Sequence, residues 1–160
     1  MMKNALIIMS LLLALMCTPV FALELTTLKG KATNLQQLVG RGKWSIVVFW
    51  SHSCQICAQE TPAINDFYFQ HKDRDTRVIG VSIDGVKNQP LVEGFISDTG
   101  MQFPSFIAEL PIMTINFAQI TEEQFKGTPT FLIYNRRGRV VAMQAGKLKM
   151  QALERFISGR

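Results

Sequence analysis

The chain has 160 residues, 48% of them hydrophobic and 18% charged, with three Cys, two His and a formal charge of +5. That length suits one globular domain, and so much apolar content with so little charge excludes a disordered chain. With 11 Gly and 6 Pro a collagenous or low-complexity chain is excluded, and three Cys are too few for a dense disulfide scaffold.

Residues 1–22 carry one early cation, Lys3, then the apolar run from Ala5 to Met16, then small-residue spacing at Val20 and Ala22. This is the pattern of a secretory signal cleaved after Ala22, which leaves 23–160 as the folded domain. The run is short for a stable membrane span, and an uncleaved N-terminal anchor is the alternative. Cys17 sits where a lipidated Cys would, but the bulky Met16 precedes it in place of a small residue. Contact with a membrane is therefore expected only through the signal or such an anchor.

Leu23 to Val39 suggests a small extra strand and a helical turn at Leu35–Leu38. Lys43 to Trp50 is a continuous apolar run rich in β-branched and aromatic residues, the mark of a central strand buried on both faces. From Cys54 the period changes: Ile56, Ala63, Ile64 and Phe67 fall near one side of a helix reaching about His71, with Ser53 as its N-cap. Pro62 lies inside that span and is expected to bend or interrupt it. Arg77 to Ile83 reads as a second buried strand, and Pro90 to Asp98 as a short helix ended by Gly100. This alternation implies parallel pairing in an α/β layer structure.

Residues 101–125 are the least legible, with an extended piece at Phe103–Ile107 and a helix after Pro111. Thr130–Tyr134 and Arg139–Gln144 flank a turn and read as a hairpin, and Lys147–Ile157 as an amphipathic helix with Leu148, Ala152, Leu153 and Phe156 on one side. The one tight basic cluster, Arg136-Arg137-Gly138-Arg139, falls at that hairpin's tip. It makes a solvated turn, and nucleic acid is not an expected partner.

If the signal is removed, two cysteines remain, Cys54 and Cys57. A bridge across two residues closes almost no loop and so adds little stability, which calls for a chemical reason. At the mouth of a helix the first Cys faces unpaired N–H groups and the positive end of the dipole, which favour thiolate over thiol. Cys54 is then the expected attacking sulfur, and Cys57, one turn on and deeper, the resolving one. The competing readings are an inert disulfide and a Cu(I) site in which His52 joins the two sulfurs. Zinc lacks a convincing ligand set, and c-type haem attachment fails because Ala58 follows Cys57. His52 is also placed to stabilise the Cys54 thiolate, or simply to occupy an exposed loop.

The stretch from Trp50 through Cys54-Gln55-Ile56-Cys57 and Glu60 to Pro62, with Val81-Ser82-Ile83-Asp84, Phe103-Pro104, Gly127-Thr128-Pro129-Thr130 and Arg137-Gly138-Arg139-Val140, resembles the TlpA/ResA branch of exported thioredoxin-like thiol:disulfide oxidoreductases. The resemblance runs from about Leu25 to the C-terminus. It implies a thioredoxin-like α/β fold, a central mixed sheet flanked by helices, with a short N-terminal extension and an insertion before a cis-proline loop.

By the same resemblance, Thr128-Pro129 forms the cis-proline loop that pairs with a substrate strand; the plain alternative is a trans Pro opening a strand. Glu60 matches an acidic residue kept beside the CxxC, where it would raise thiol pKa values and shuttle the resolving proton. The alternative is a first-turn Glu that favours the helix N-terminus. Gln55-Ile56 and Ser51-His52-Ser53 depart from the usual pattern around the motif, which leaves the direction of electron flow open.

The implied activity is dithiol–disulfide exchange with protein substrates in the periplasm or another extracytoplasmic space, without a cofactor. A reductant is expected, as in cytochrome c maturation, recharged by a membrane thiol donor. An oxidant or isomerase, a Cu(I) metallochaperone using Cys54, Cys57 and His52, and a binding module without chemistry are the alternatives.

Overall fold

The computed structural model describes residues 22–159. The signal expected over 1–22, with Cys17, falls outside these residues apart from Ala22. Among the described residues no helix is long and apolar enough to cross a membrane.

Seven strands form one sheet in the order β2-β1-β5-β4-β3-β6-β7. They are β1 (Glu24–Thr27), β2 (Ala32–Asn34), β3 (Trp44–Trp50), β4 (Thr76–Ser82), β5 (Ser105–Ile107), β6 (Thr130–Tyr134) and β7 (Val140–Ala145). β3, β4 and β5 pair in parallel, whereas β6 and β7 on one side and β1 and β2 on the other are antiparallel. The sheet is therefore mixed, and the N-terminal stretch supplies a two-stranded hairpin where one extra strand was expected. A 3-10 turn at Leu35–Gln37, capped by Asn34, follows it.

Every residue of β3 is buried. Its side chains alternate between two cores, as the pleat requires. Trp44, Ile46, Val48 and Trp50 pack on one face with Ile64, Phe67, Val92, Leu153 and Ile157. Val47 and Phe49 pack on the other with Leu35, Met113 and Phe117. Helices α1 (Gln55–His71), α2 (Gln89–Thr99) and α4 (Met150–Ser158) thus supply the first core, and α3 (Leu110–Thr121) the second. A sheet covered on both faces explains why β3 reads as an unbroken apolar run.

Four local expectations need correction. Helix α1 begins at Gln55 with Cys54, not Ser53, as its N-cap. It also continues unbroken through Pro62, whose missing N–H forgoes only the bond to the Ala58 carbonyl. Its buried stripe is Cys57, Thr61, Ile64 and Phe67, while Ile56 and Ala63 face outward. The apolar residues at 56 and 63 mimicked a stripe one position out of phase. On α4, likewise, Leu153 and Ile157 are buried and Ala152 is exposed.

The least legible stretch holds β5 and α3, with Pro111 in the first turn of α3 and Phe103 buried just before β5. Gly80 in β4 exists because there is no room for a side chain. A Cβ there would collide with Ser105 Oγ and lie 3.0 Å from both Phe103 Cε2 and Trp50 Nε1.

Candidate active site

The carboxyl ends of the parallel strands β3 and β4 build the site. β3 ends at Trp50, the chain turns through Ser51–Ser53, and α1 starts at once, so Cys54 is delivered to the helix mouth. The turn is held by Cys54 N–H to the Ser51 carbonyl (3.0 Å) and by a Ser51–Ser53 hydroxyl contact (3.0 Å). Cys54 has extended backbone, φ −85° and ψ 99°, and its Sγ accepts the Cys57 N–H at 3.1 Å. One orphan donor of the first helical turn is therefore aimed at this sulfur.

Cys54 and Cys57 form a disulfide with Cα atoms 5.2 Å apart. Cys57 is 3% exposed because it belongs to the core-facing stripe, whereas Cys54, at the cap, is partly open. Cys54 and His52 line a groove of about 450 Å³ whose far wall is α2, with Leu91, Gly94 and Phe95. The two sulfurs thus differ in access through the geometry of one helix start.

His52 does not lie free in its loop. Its Nδ1 is 2.8 Å from Asp84 Oδ1, and its backbone N–H donates to Asp84 Oδ2 at 2.9 Å. The Asp84 side chain is 8% exposed and also accepts the Ser82 hydroxyl at 2.6 Å. This anchor was missed in the sequence, where Asp84 appeared only within the Val81-Ser82-Ile83-Asp84 stretch of the family resemblance; the parallel register Trp50↔Ser82 is what sets it beside the turn after β3. Among the described residues no group of three or more His, Cys, Asp or Glu is placed to hold a metal ion. In this disulfide-bonded state the trio of Cys54, Cys57 and His52 is not assembled as a metal site, the two sulfurs being bonded to each other.

Glu60 lies three positions beyond Cys57 and past the first turn of α1, which removes the first-turn reading. Its Oε2 accepts the Leu148 N–H at 3.1 Å, tying α1 to the loop between β7 and α4, and among the described residues Oε1 has no hydrogen bond. Nothing in the sequence signals that tie, since the partner is a backbone group 88 positions away.

The Thr128–Pro129 peptide is cis. The antiparallel pair Phe49↔Thr130 brings Pro129 alongside Trp50, at the same end of the sheet as the CxxC. The Pro129 carbonyl accepts the Gly146 N–H at 2.8 Å and Thr130 Oγ1 donates to the Gly127 carbonyl at 2.6 Å. Thr128 itself makes no hydrogen bond among the described residues. Its backbone is left as an open edge. Phe125, just upstream, anchors this loop edge-on to Phe49 and Phe117 at ring distances of 5.9 and 5.2 Å.

The model of the AhpC/TSA family matches residues 17–143. The chain belongs to the AhpC/TSA family. Among relatives of this AhpC/TSA member, the thiol-disulfide oxidoreductase ResA of Halalkalibacterium halodurans is 27% identical over 139 residues, covering 86% of this chain and 71% of that protein. Thiol-disulfide oxidoreductase YkuV of Bacillus subtilis is 27% identical over 139 residues, covering 84% and 87%. A thioredoxin-family thiol:disulfide interchange protein from Chlorobium tepidum TLS has the same fold, with a TM-score of 0.70 at 21% identity, covering 86% of this chain and 92% of that one. This AhpC/TSA member is thus a thiol-disulfide oxidoreductase of the thioredoxin superfamily, with a thioredoxin-like fold and a Cys54–Cys57 disulfide.

Proposed function

We propose that the protein is an exported reductant of protein disulfides, acting extracytoplasmically through Cys54 as nucleophile and Cys57 as resolving thiol. The observation that carries this reading is the asymmetry of the pair: a partly open sulfur receiving a helix-mouth N–H, and a 3% exposed sulfur behind it. In the reduced protein that N–H faces a thiolate, which lowers the cost of ionising Cys54. The thiolate attacks the substrate disulfide, giving a mixed disulfide; Cys57 then attacks Cys54 and releases the reduced substrate.

Thr128 and Pro129 receive the substrate strand. Support comes from the unpaired Thr128 backbone at the CxxC end of the sheet, since an extended segment binds by completing such an edge. Glu60 carries the resolving proton, a role supported by its one-turn spacing from Cys57 and by the free Oε1.

Export rests on the signal-like residues 1–22, and residues 23–160 form the working domain. In an oxidising compartment a reductant needs recharging, so a membrane thiol donor is its partner, and cytochrome c maturation fits as the pathway. Redox titration of residues 23–160 against glutathione buffers tests the direction. A reductant gives a potential below that of the glutathione couple, and an oxidant lies above it. In the insulin reduction assay Cys54→Ser abolishes turnover; full activity in that variant contradicts the nucleophile assignment.

A further inference from the structure

The exchange reaction moves protons as well as electrons, and the residues so far assigned leave the proton of Cys54 without a carrier. We infer that His52, oriented by Asp84, carries that proton between Cys54 and the leaving sulfur of the substrate. The inference rests on Cys54 being the exchanging sulfur.

His52 is two residues before Cys54 and lines the same groove. Asp84 fixes the imidazole: an 8% exposed carboxylate that takes the His52 Nδ1 hydrogen, the His52 backbone hydrogen and the Ser82 hydroxyl hydrogen. With Nδ1 donating to a carboxylate, the neutral ring keeps its lone pair on Nε2. Among the described residues Nε2 has no hydrogen-bond partner, and the His52 side chain is 32% exposed, so a proton on it can be exchanged. The other charged groups near the dyad are accounted for. Asp98 is exposed on the α2 wall of the groove, and Glu109, bridged to Asp84 by backbone, accepts the Val86 N–H through Oε1.

The step balances. Cys54 Sγ–H gives its proton to Nε2, and the thiolate electron pair forms a bond to one substrate sulfur. The substrate S–S bond breaks, and the leaving thiolate takes the proton back from Nε2. Cys57 then attacks Cys54, its proton passing to the second leaving sulfur. One substrate disulfide becomes two thiols while the protein dithiol becomes a disulfide. Asp84 is a positioning residue: it touches neither sulfur and holds the ring in the tautomer that accepts at Nε2.

The test uses residues 23–160 in the reduced state, mixed with a peptide carrying an alkyl disulfide and separately with 5,5′-dithiobis(2-nitrobenzoate), whose leaving thiol is acidic and needs no proton. His52→Asn keeps an N–H placed to reach Asp84 but has no Nε2. It is expected to slow the alkyl disulfide roughly a hundredfold, the low end of what a positioned acid–base group supplies. The aromatic disulfide is slowed far less, and the rate profile against pH loses one inflection. Added imidazole restores rate to His52→Ala, and Asp84→Asn shows a smaller loss of the same kind.

If His52 served only to brace the turn, His52→Asn would keep the wild-type rates and profile, and imidazole would not rescue His52→Ala; either outcome overturns the inference. Failure of the functional reading looks different. There Cys54→Ser retains exchange with both disulfides, whatever happens at His52. Thermal melts and circular dichroism of each variant identify any that fail to fold, and imidazole rescue at constant fold keeps the test decisive.

Discussion

Glu60 has two jobs in this account, one on each carboxylate oxygen, and substitution separates them. Oε2 accepts the Leu148 N–H at 3.1 Å, while Oε1 is free for proton transfer at Cys57. A hydrogen bond to a charged group contributes about 1.5 to 3 kcal/mol, and the long, half-buried contact here belongs at the low end, about 1.5 kcal/mol. For a domain of this size that corresponds to a drop of about 5 °C in melting temperature. Glu60→Ala removes both oxygens, so it loses this stability and also the resolving proton. Glu60→Gln keeps a carbonyl acceptor for Leu148 and loses only the carboxylate chemistry.

The expected pattern is therefore a destabilised Ala variant and a Gln variant melting within about 2 °C of wild type, with the mixed disulfide at Cys54 long-lived in both. Calorimetry on the oxidised proteins reads the first quantity, and quenched-flow mass spectrometry the lifetime. Equal melting losses for Gln and Ala would refute the anchoring argument, and unchanged mixed-disulfide lifetimes would refute the proton role.

Other consequences follow from packing and burial. Gly80→Ala forces a methyl group against Ser105 and Phe103 and is expected to cost about 1 to 3 kcal/mol by urea unfolding; an unchanged midpoint would mean that the β4–β5 contact gives way freely. Phe125→Ala removes two edge-on ring contacts under the loop that carries Thr128, so exchange with protein substrates falls while iodoacetamide alkylation of reduced Cys54 keeps its rate. Tyr134 is buried, its hydroxyl has no partner among the described residues, and burial holds its pKa above the ordinary value of about 10. The folded state then keeps a proton that the unfolded chain loses. Stability is full below about pH 10 and declines as the pH rises further. Tyr134→Phe is expected to remove that alkaline decline in denaturation midpoints without weakening the protein at neutral pH.

The sequence made the CxxC, its place after a buried strand and the flanking elements legible because each is local: an apolar run, a change of period, a Gly just past a helix. The cis peptide at Thr128-Pro129 came only through family resemblance, since spacing alone fits either isomer. What escaped were relations between distant positions. The phase of the α1 stripe was partly misread because Ile56 and Ala63 imitate core positions; Cys57, Ile64 and Phe67 face inward as expected, and only the packed helix reveals that Thr61 joins them. His52 looked like an exposed loop residue because its partner, Asp84, is 32 positions on and reaches it through β3–β4 register. The two-stranded start of the sheet was compressed to one strand because β2 is only three residues long and polar.

The central claim is that the helix-mouth sulfur is the one that visits substrate. Reduced Cys57→Ser protein, mixed with a disulfide-bonded peptide and digested under acid, reports which sulfur carries the adduct by mass spectrometry. A stable peptide adduct on Cys54 that cannot resolve is the expected product. No adduct on Cys54, or equally rapid adduct formation on Cys57 in the Cys54→Ser protein, would contradict it.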